Sequence, residues 1–220
     1  MGTVLSVNLG IARPNPAKDA VGLTGIDKRP TTGPVPVRAP AVPGGTGLSG
    51  DRILDAASHG GPDQAVYAYA REDLDYWAAE LGRPLSPGVF GENLTTEGLA
   101  VTDALIGERW RVGTEVVLEV SAPRIPCNTF ARWMAEQDWV KRFTQQAAPG
   151  AYLRVVTAGT VRAGDPVVVV SRPDHDVTVG ITFRALTLEP ELLPRLQVAD
   201  ALPEGTMRKV ARRIAEGSPT

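Results

Sequence analysis

What most constrains the fold is how often the chain is interrupted. Up to Arg172 the sequence reads as many short strands separated by Gly/Pro turns, with only brief helices between them. A parallel α/β sheet would show strands and helices in regular alternation, whereas this cadence points to a mainly β architecture, a β-barrel with flanking short helices. With 19 prolines and 23 glycines in 220 residues, the punctuation is dense enough to keep most segments short.

In chain order, residues Thr3 to Leu9 alternate Leu5, Val7 and Leu9 against Ser6 and Asn8, a strand pattern. From Pro14 to Gly50 prolines and glycines dominate, and the run reads as a loop or linker. It contains Gly45-Thr-Gly47-Leu-Ser-Gly50, a formal dinucleotide-binding match that lacks the strand before it and the helix after it, so it is discounted. Ala65 to Tyr69 is a strand, and Arg71 to Leu81 is an amphipathic helix with Leu74, Trp77, Ala78 and Leu81 on one face and Gly82 at its end. Glu92 and Asn93 lie within an apolar, Gly-rich stretch, so they either tie loops together or face a ligand. Glu115 to Val120 has the period of a half-buried strand, and Asp138 opens a helix bearing Val140 and Phe143. Residues 152–156 and 166–170 read as a hairpin joined through Ala163-Gly-Asp165.

Past Pro173 the composition shifts to three short helices, over residues 181–188, 189–198 and 204–215. This divides the chain into a barrel domain, 1–172, and a small C-terminal three-helix domain, 173–220. The last helix carries Arg208, Lys209, Arg212 and Arg213, either a solvated face or a docking face for an acidic partner.

The stretch Ser121-Ala-Pro-Arg-Ile-Pro-Cys127 holds the single cysteine on a stiff extended arm, because Pro123 and Pro126 fix their own φ and extend the residues before them. Asn128 or Thr129 can cap a following helix with Phe130, Trp133 and Met134 on one side. A thiol near a helix start and Arg124 has its thiolate favoured, the form that attacks electrophiles or binds soft metals. The alternative is a buried, inert cysteine. His59, between glycines, is either a turn residue or a ligand-facing group.

One cysteine excludes an internal disulfide framework, a cysteine-rich zinc site and a four-cysteine iron-sulfur cluster. A formal net charge of −2 gives no footprint for nucleic acid. No signal peptide and no membrane span is read in the sequence, and the expected location is the cytoplasm.

Five segments in one order, Gly47-Leu-Ser-Gly-Asp51, His59-Gly-Gly-Pro-Asp63, Ala65-Val-Tyr-Ala-Tyr69, Gly91-Glu-Asn-Leu94 and Pro123-Arg-Ile-Pro-Cys127, resemble the MOSC domain family, the molybdenum cofactor sulfurase C-terminal domains. The resemblance runs from about Thr3 to Arg172, is nearest to the stand-alone YiiM-like members, and extends to their three-helix tail. It implies a β-barrel that binds molybdenum cofactor (molybdopterin) with Cys127 as metal ligand, and reduction of N-hydroxylated compounds, including toxic base analogues, to the parent amine. Pyridoxal phosphate is not expected. On this reading Arg124 and Lys28 meet the pterin phosphate, while Asp51, His59 and Asn93 line the mouth, with His59 the proton donor. A small-molecule N-hydroxylated substrate and an external electron-donor reductase are the expected partners; the oligomeric state is left open. The alternatives are a non-catalytic cofactor carrier and a cysteine-persulfide sulfur carrier. Two departures from the family pattern, Gln64 where lysine is common and a long proline-rich loop from Arg38 to Gly45, bear on substrate choice.

Overall fold

The computed structural model describes residues 1–16, 22–42, 44–54 and 59–217, so parts of the Pro/Gly-rich run and the last three residues of the tail lie outside the described residues. Its strands are β1 (Gly2–Pro14), β2 (Leu23–Pro30), β3 (Val35–Val37), β4 (Val66–Ala70), β5 (Leu94–Glu97), β6 (Arg109–Val112), β7 (Val116–Pro123), β8 (Ala151–Thr157), β9 (Gly159–Val161) and β10 (Pro166–Ser171). The helices are α1 (Arg71–Leu81), α2 (Asn128–Met134), α3 (Trp139–Gln146), α4 (Val179–Thr187) and α5 (Glu204–Gly217).

Seven strands close into a barrel in the order β10-β6-β7-β8-β4-β5-β1, and the ring is completed where Gly2 and Thr3 of β1 face Val167 and Pro166 of β10. Closure leaves these seven strands without a free edge. Neighbours are antiparallel except β4 and β5, which run parallel and are joined through α1. A parallel pair needs such a crossover, and here it places α1 on the barrel's outer wall. Strand β1 is long because, besides closing the ring with β10, it serves two more partners: its first half pairs with β5, its second half with β2, and its register shifts between Val4 and Ser6.

The side-chain period of two sorts β4 between two cores. Val66, Ala68 and Ala70 point into the barrel with Val4, Leu118, Val120 and Leu153, while Tyr67 and Tyr69 point out into an aromatic layer. That layer joins Trp77 of α1, Phe90, Phe130 of α2, and Trp139 and Phe143 of α3, with most ring pairs tilted or edge-on. Phe130, for example, meets Phe143 at 5.2 Å and 87°, the arrangement that the ring quadrupoles favour. The aromatic layer forms one wall of the pocket described below.

Helix α1 occupies the expected residues, and Gly82 ends it at φ 63°, a left-handed conformation that suits glycine. Helix α3 buries Trp139 and Phe143, but Val140 is on its outer side. Two expectations are corrected and one is refined. The Pro14–Gly50 run is not a linker, because it contains β2 and β3; Pro36 is tolerated in β3, a three-residue strand paired with β9 in a separate two-stranded sheet. The hairpin of residues 152–156 and 166–170 does not form: β8 pairs with β4 and β7, β10 with β6 and β1, and β9 lies between them in sequence. The middle tail segment, Pro190–Val198, is a 3-10 helix with Pro194 inside, since a proline there removes an α-helical hydrogen bond. No helix of the described residues is long and apolar enough to cross a membrane.

The tail lies directly on the barrel. Ile106 N–H donates to Val177 O (3.0 Å), Val179 N–H donates to Ala104 O (2.9 Å), and Val177, Val179, Leu196 and Val210 belong to the same buried cluster as the barrel interior.

Candidate active site around Cys127

Strand β7 runs through Pro123, the chain stays extended across Ile125, and α2 begins at Asn128. The helix N-cap is therefore Cys127 itself, with φ −122° and ψ 170°, rather than Asn128 or Thr129. At that position the sulfur is within reach of the freed amides of the first turn. Burial pushes the thiol pKa up, but a side-chain hydrogen bond with His59, the charge of Arg124 and the Phe130 N–H together outweigh it and hold Cys127 at about 6. A pKa of about 6 favours the thiolate at neutral pH, which supports the reactive alternative over the inert one.

Arg124 is 6% exposed. Its guanidinium lies 3.5 Å over the Phe130 ring and 5.8 Å from that of Tyr67, a cation–π seat that fixes the plane of the fork. One of its nitrogens, Nη1, is buried with no hydrogen-bond partner among the described residues. A buried, unpartnered guanidinium nitrogen is costly, and an anionic ligand would satisfy it.

Behind the pocket, Lys28 Nζ donates to both oxygens of Asp51, at 2.6 and 2.7 Å. Asp51 also accepts from the Gly10 N–H (2.7 Å) and from Asn93 Nδ2 (2.9 Å). Both side chains of this ion pair are almost wholly buried, 8% exposed for lysine and 1% for aspartate. The expectation that Asp51 lines the mouth is therefore corrected. The pocket wall carries Lys28 and Asn93, while Asp51 stands outside its lining and fixes them. Asn93 reaches the wall, but its amide is occupied: Oδ1 accepts from Tyr67 N–H (3.1 Å), and Nδ2 donates to Asn8 O (3.3 Å) and to Asp51. Glu92 resolves to the loop-tying role, fully buried and accepting from the amides of Gly88 and Phe90 and from the Thr95 hydroxyl.

The loop bearing His59 is held from three sides. Gly61 N–H donates to Gly45 O (2.9 Å), the Ser121 hydroxyl donates to Asp63 O, and Arg154 Nε donates to Asp63 Oδ1 (2.7 Å). At Gly60, φ is 81° and an added Cβ would lie 2.7 Å from Gly44 O, so only glycine lets the loop lie this close. Gln64, the departure from the family lysine, accepts from the Gly60 N–H (3.3 Å).

These groups surround one pocket of about 730 Å³ including its mouth, walled by Lys28, His59, Tyr67, Asn93, Arg124 and Cys127 among others. Of the sequence-derived site residues, Lys28, His59, Asn93, Arg124 and Cys127 converge here. Tyr67, Tyr152 and Thr129 also line it and carried no chemical signal in the sequence, although the alternation of the Ala65–Tyr69 strand puts Tyr67 on the face opposite Val66 and Ala68. No set of three or more His, Cys, Asp or Glu among the described residues could hold a metal ion, so a metal bound here would bring most of its own ligands. The expected molybdenum cofactor fits this donor set: one soft thiolate for the metal, and an orphaned arginine for an anionic group.

Comparison with known proteins gives one answer. The sequence model of the MOSC domain matches residues 55–168. YflK of Bacillus subtilis (strain 168) is 36% identical over 182 residues, covering 83% of this chain and 79% of that one. A protein of Gibberella moniliformis named "Reductase" is 33% identical over 136 residues, 58% of this chain and 23% of its own. The crystal structure of YiiM from Geobacillus stearothermophilus superposes with a TM-score of 0.78 at 28% identity, covering 97% of this chain and all of that one.

Proposed function

Because this chain belongs to the MOSC domain family and is YiiM-like, we propose that it binds molybdenum cofactor in the Cys127 pocket and reduces N-hydroxylated compounds to their amines. The observation that carries this reading is the pairing of a thiolate-state cysteine with a buried arginine nitrogen that has no partner, in one pocket. Cys127 would ligate the metal through sulfur, and Arg124 and Lys28 would hold the anionic end of the pterin. When bound, the cofactor supplies the two electrons that cleavage of an N–O bond takes.

The remaining work is done by the chain. Converting R–NH–OH to R–NH2 and water takes two protons as well as two electrons, and His59, which lines the pocket with Cys127, would deliver a proton there. Tyr67 and Phe90 give part of the pocket wall an aromatic surface. Asp51 holds the Lys28 ammonium in place on the pocket wall through both carboxylate oxygens.

Electrons come from an external reductase. The relative of Gibberella moniliformis named "Reductase", of which the match covers 23%, supports a reductive role. A reduced, reactive thiolate fits a cytoplasmic setting.

The test uses protein made in a host that synthesises the cofactor. Molybdenum by elemental analysis and pterin by fluorescence are expected in the parent and absent from a folded Cys127→Ser variant. Turnover of an N-hydroxylated base analogue is expected with a chemical reductant or reductase system and not with NADH or NADPH alone. Equal molybdenum in parent and variant would end the ligand assignment, and sustained turnover on the nicotinamide alone would end the need for a partner.

A further inference from the structure

The pocket has a continuation that the proposed chemistry does not use. A wider groove of about 1960 Å³, solvent included, shares His59, Gly60, Gln64, Cys127, Thr129 and Tyr152 with the inner pocket, so the two adjoin at the reactive groups. One side of the groove is the cysteine arm, where Ile125 is 46% exposed between Pro123 and Pro126. The far side is made by the helical tail: Leu186 of α4, then Pro203, Thr206 and Lys209 at the start of α5. A molecule reaching His59 and Cys127 by this groove lies against the tail.

The charges there are not balanced. Of the four basic side chains on α5, Arg208 pairs with Glu204, Arg212 with Glu216, and Arg213 donates to Leu186 O. Lys209 lines the groove and has no ion pair among the described residues. The one acidic side chain on the groove wall, Asp63, is held by Arg154. The approach to the site therefore presents apolar surface and an uncompensated cation.

We propose that this groove is the substrate vestibule, that it favours N-hydroxylated substrates whose distal end carries an anion such as a phosphate, and that Lys209 of the tail is the residue that selects them. The inference rests on the reading of the site as an N-hydroxyl reductase. On it, the N–OH end enters toward His59, the flat part of the molecule lies along Ile125, Pro126 and Leu186, and the anion remains at the mouth opposite the tail. An exposed lysine meeting a phosphate gives a modest, salt-sensitive preference rather than a large one.

The experiment measures binding of the amine products, which needs neither turnover nor cofactor. Adenosine and adenosine 5′-monophosphate differ only in the phosphate, and their affinities for the purified full chain are compared by calorimetry at low and high salt. The monophosphate is expected to bind about three- to fivefold more tightly at low salt, with the preference lost in Lys209→Gln, kept in Lys209→Arg and reduced at high salt. Equal affinities in the parent, or a preference unchanged in Lys209→Gln, would overturn the assignment. A protein that carries no molybdenum and reduces nothing, yet keeps the Lys209-dependent preference, would refute the reductase reading and leave the vestibule standing.

Discussion

At the scale of single residues, the behaviour of the site follows from which charges are buried with partners. Cys127 has an ordinary pKa of 9.0 and is held at about 6 in the fold, chiefly because His59 and Arg124 offset the burial that would raise it. In cofactor-free protein its alkylation by iodoacetamide is expected to rise with pH around a midpoint near 6, and His59→Ala is expected to move that midpoint upward. A parent midpoint near 9 would show the thiolate is not stabilised. The sign for stability follows: a depressed folded pKa means the native state binds fewer protons between about 6 and 9. The stabilisation is fully present above the unfolded value and is lost as pH falls through about 6. The difference in Tm between parent and Cys127→Ser should therefore grow with pH over that window. Asp51 belongs to the same logic. Asp51→Asn leaves the buried Lys28 ammonium without its counter-ion, and breaking a buried pair from one side costs about 3 kcal/mol or more in urea unfolding. The double variant Lys28→Met with Asp51→Asn should recover part of that loss, because the uncompensated charge is gone. No recovery would mean the pair is not energetically coupled.

At the scale of elements, the segments that the sequence reveals are those with one clear face. Arg71 to Leu81 has its apolar stripe and its terminal glycine, and it is a helix over those residues. Val116, Leu118 and Val120 are buried, alternate with half-buried Val117 and Glu119, and form β7. What the pattern cannot convey is which strand lies beside which. Residues 152–156 and 166–170 are both good strands separated by a turn signal, yet each finds its partners elsewhere because the ring closes through β1. Strand period specifies a buried face and not a neighbour. The chemistry-bearing residues were legible in the same partial way. Cys127 and Arg124 stand out because prolines frame them, and His59 because glycines flank it, but the role of Asp51 depends on Lys28, which lies 23 positions away. Arg154, which joins Asp63, Glu119 and Ala201 O, leaves no local signature at all.

At the scale of the whole molecule, the question is how far the helical tail is a unit of its own. Composition changes at Pro173, and every strand of the barrel ends by Ser171. The hydrogen-bonded ring is thus complete without the tail. The apolar core is not, since Val177, Val179, Ala185, Leu196 and Val210 pack into the same cluster as Ile106 and the barrel interior. Arg154 adds a polar tie by donating to Ala201 O at 2.6 Å. A ring whose strands pair with one another should survive loss of a covering layer, but with apolar surface newly exposed to water and a corresponding loss of stability. Residues 1–172 alone are therefore expected to give a β-rich circular dichroism spectrum and one cooperative urea transition, at a lower midpoint than the full chain. A fragment with no cooperative transition would show that barrel and tail fold as one unit. A midpoint equal to that of the full chain would show that the shared cluster contributes nothing. Because the tail also forms the far wall of the groove, the same fragment should bind adenosine and its monophosphate equally well, which ties the stability of this layer to its part in recognition.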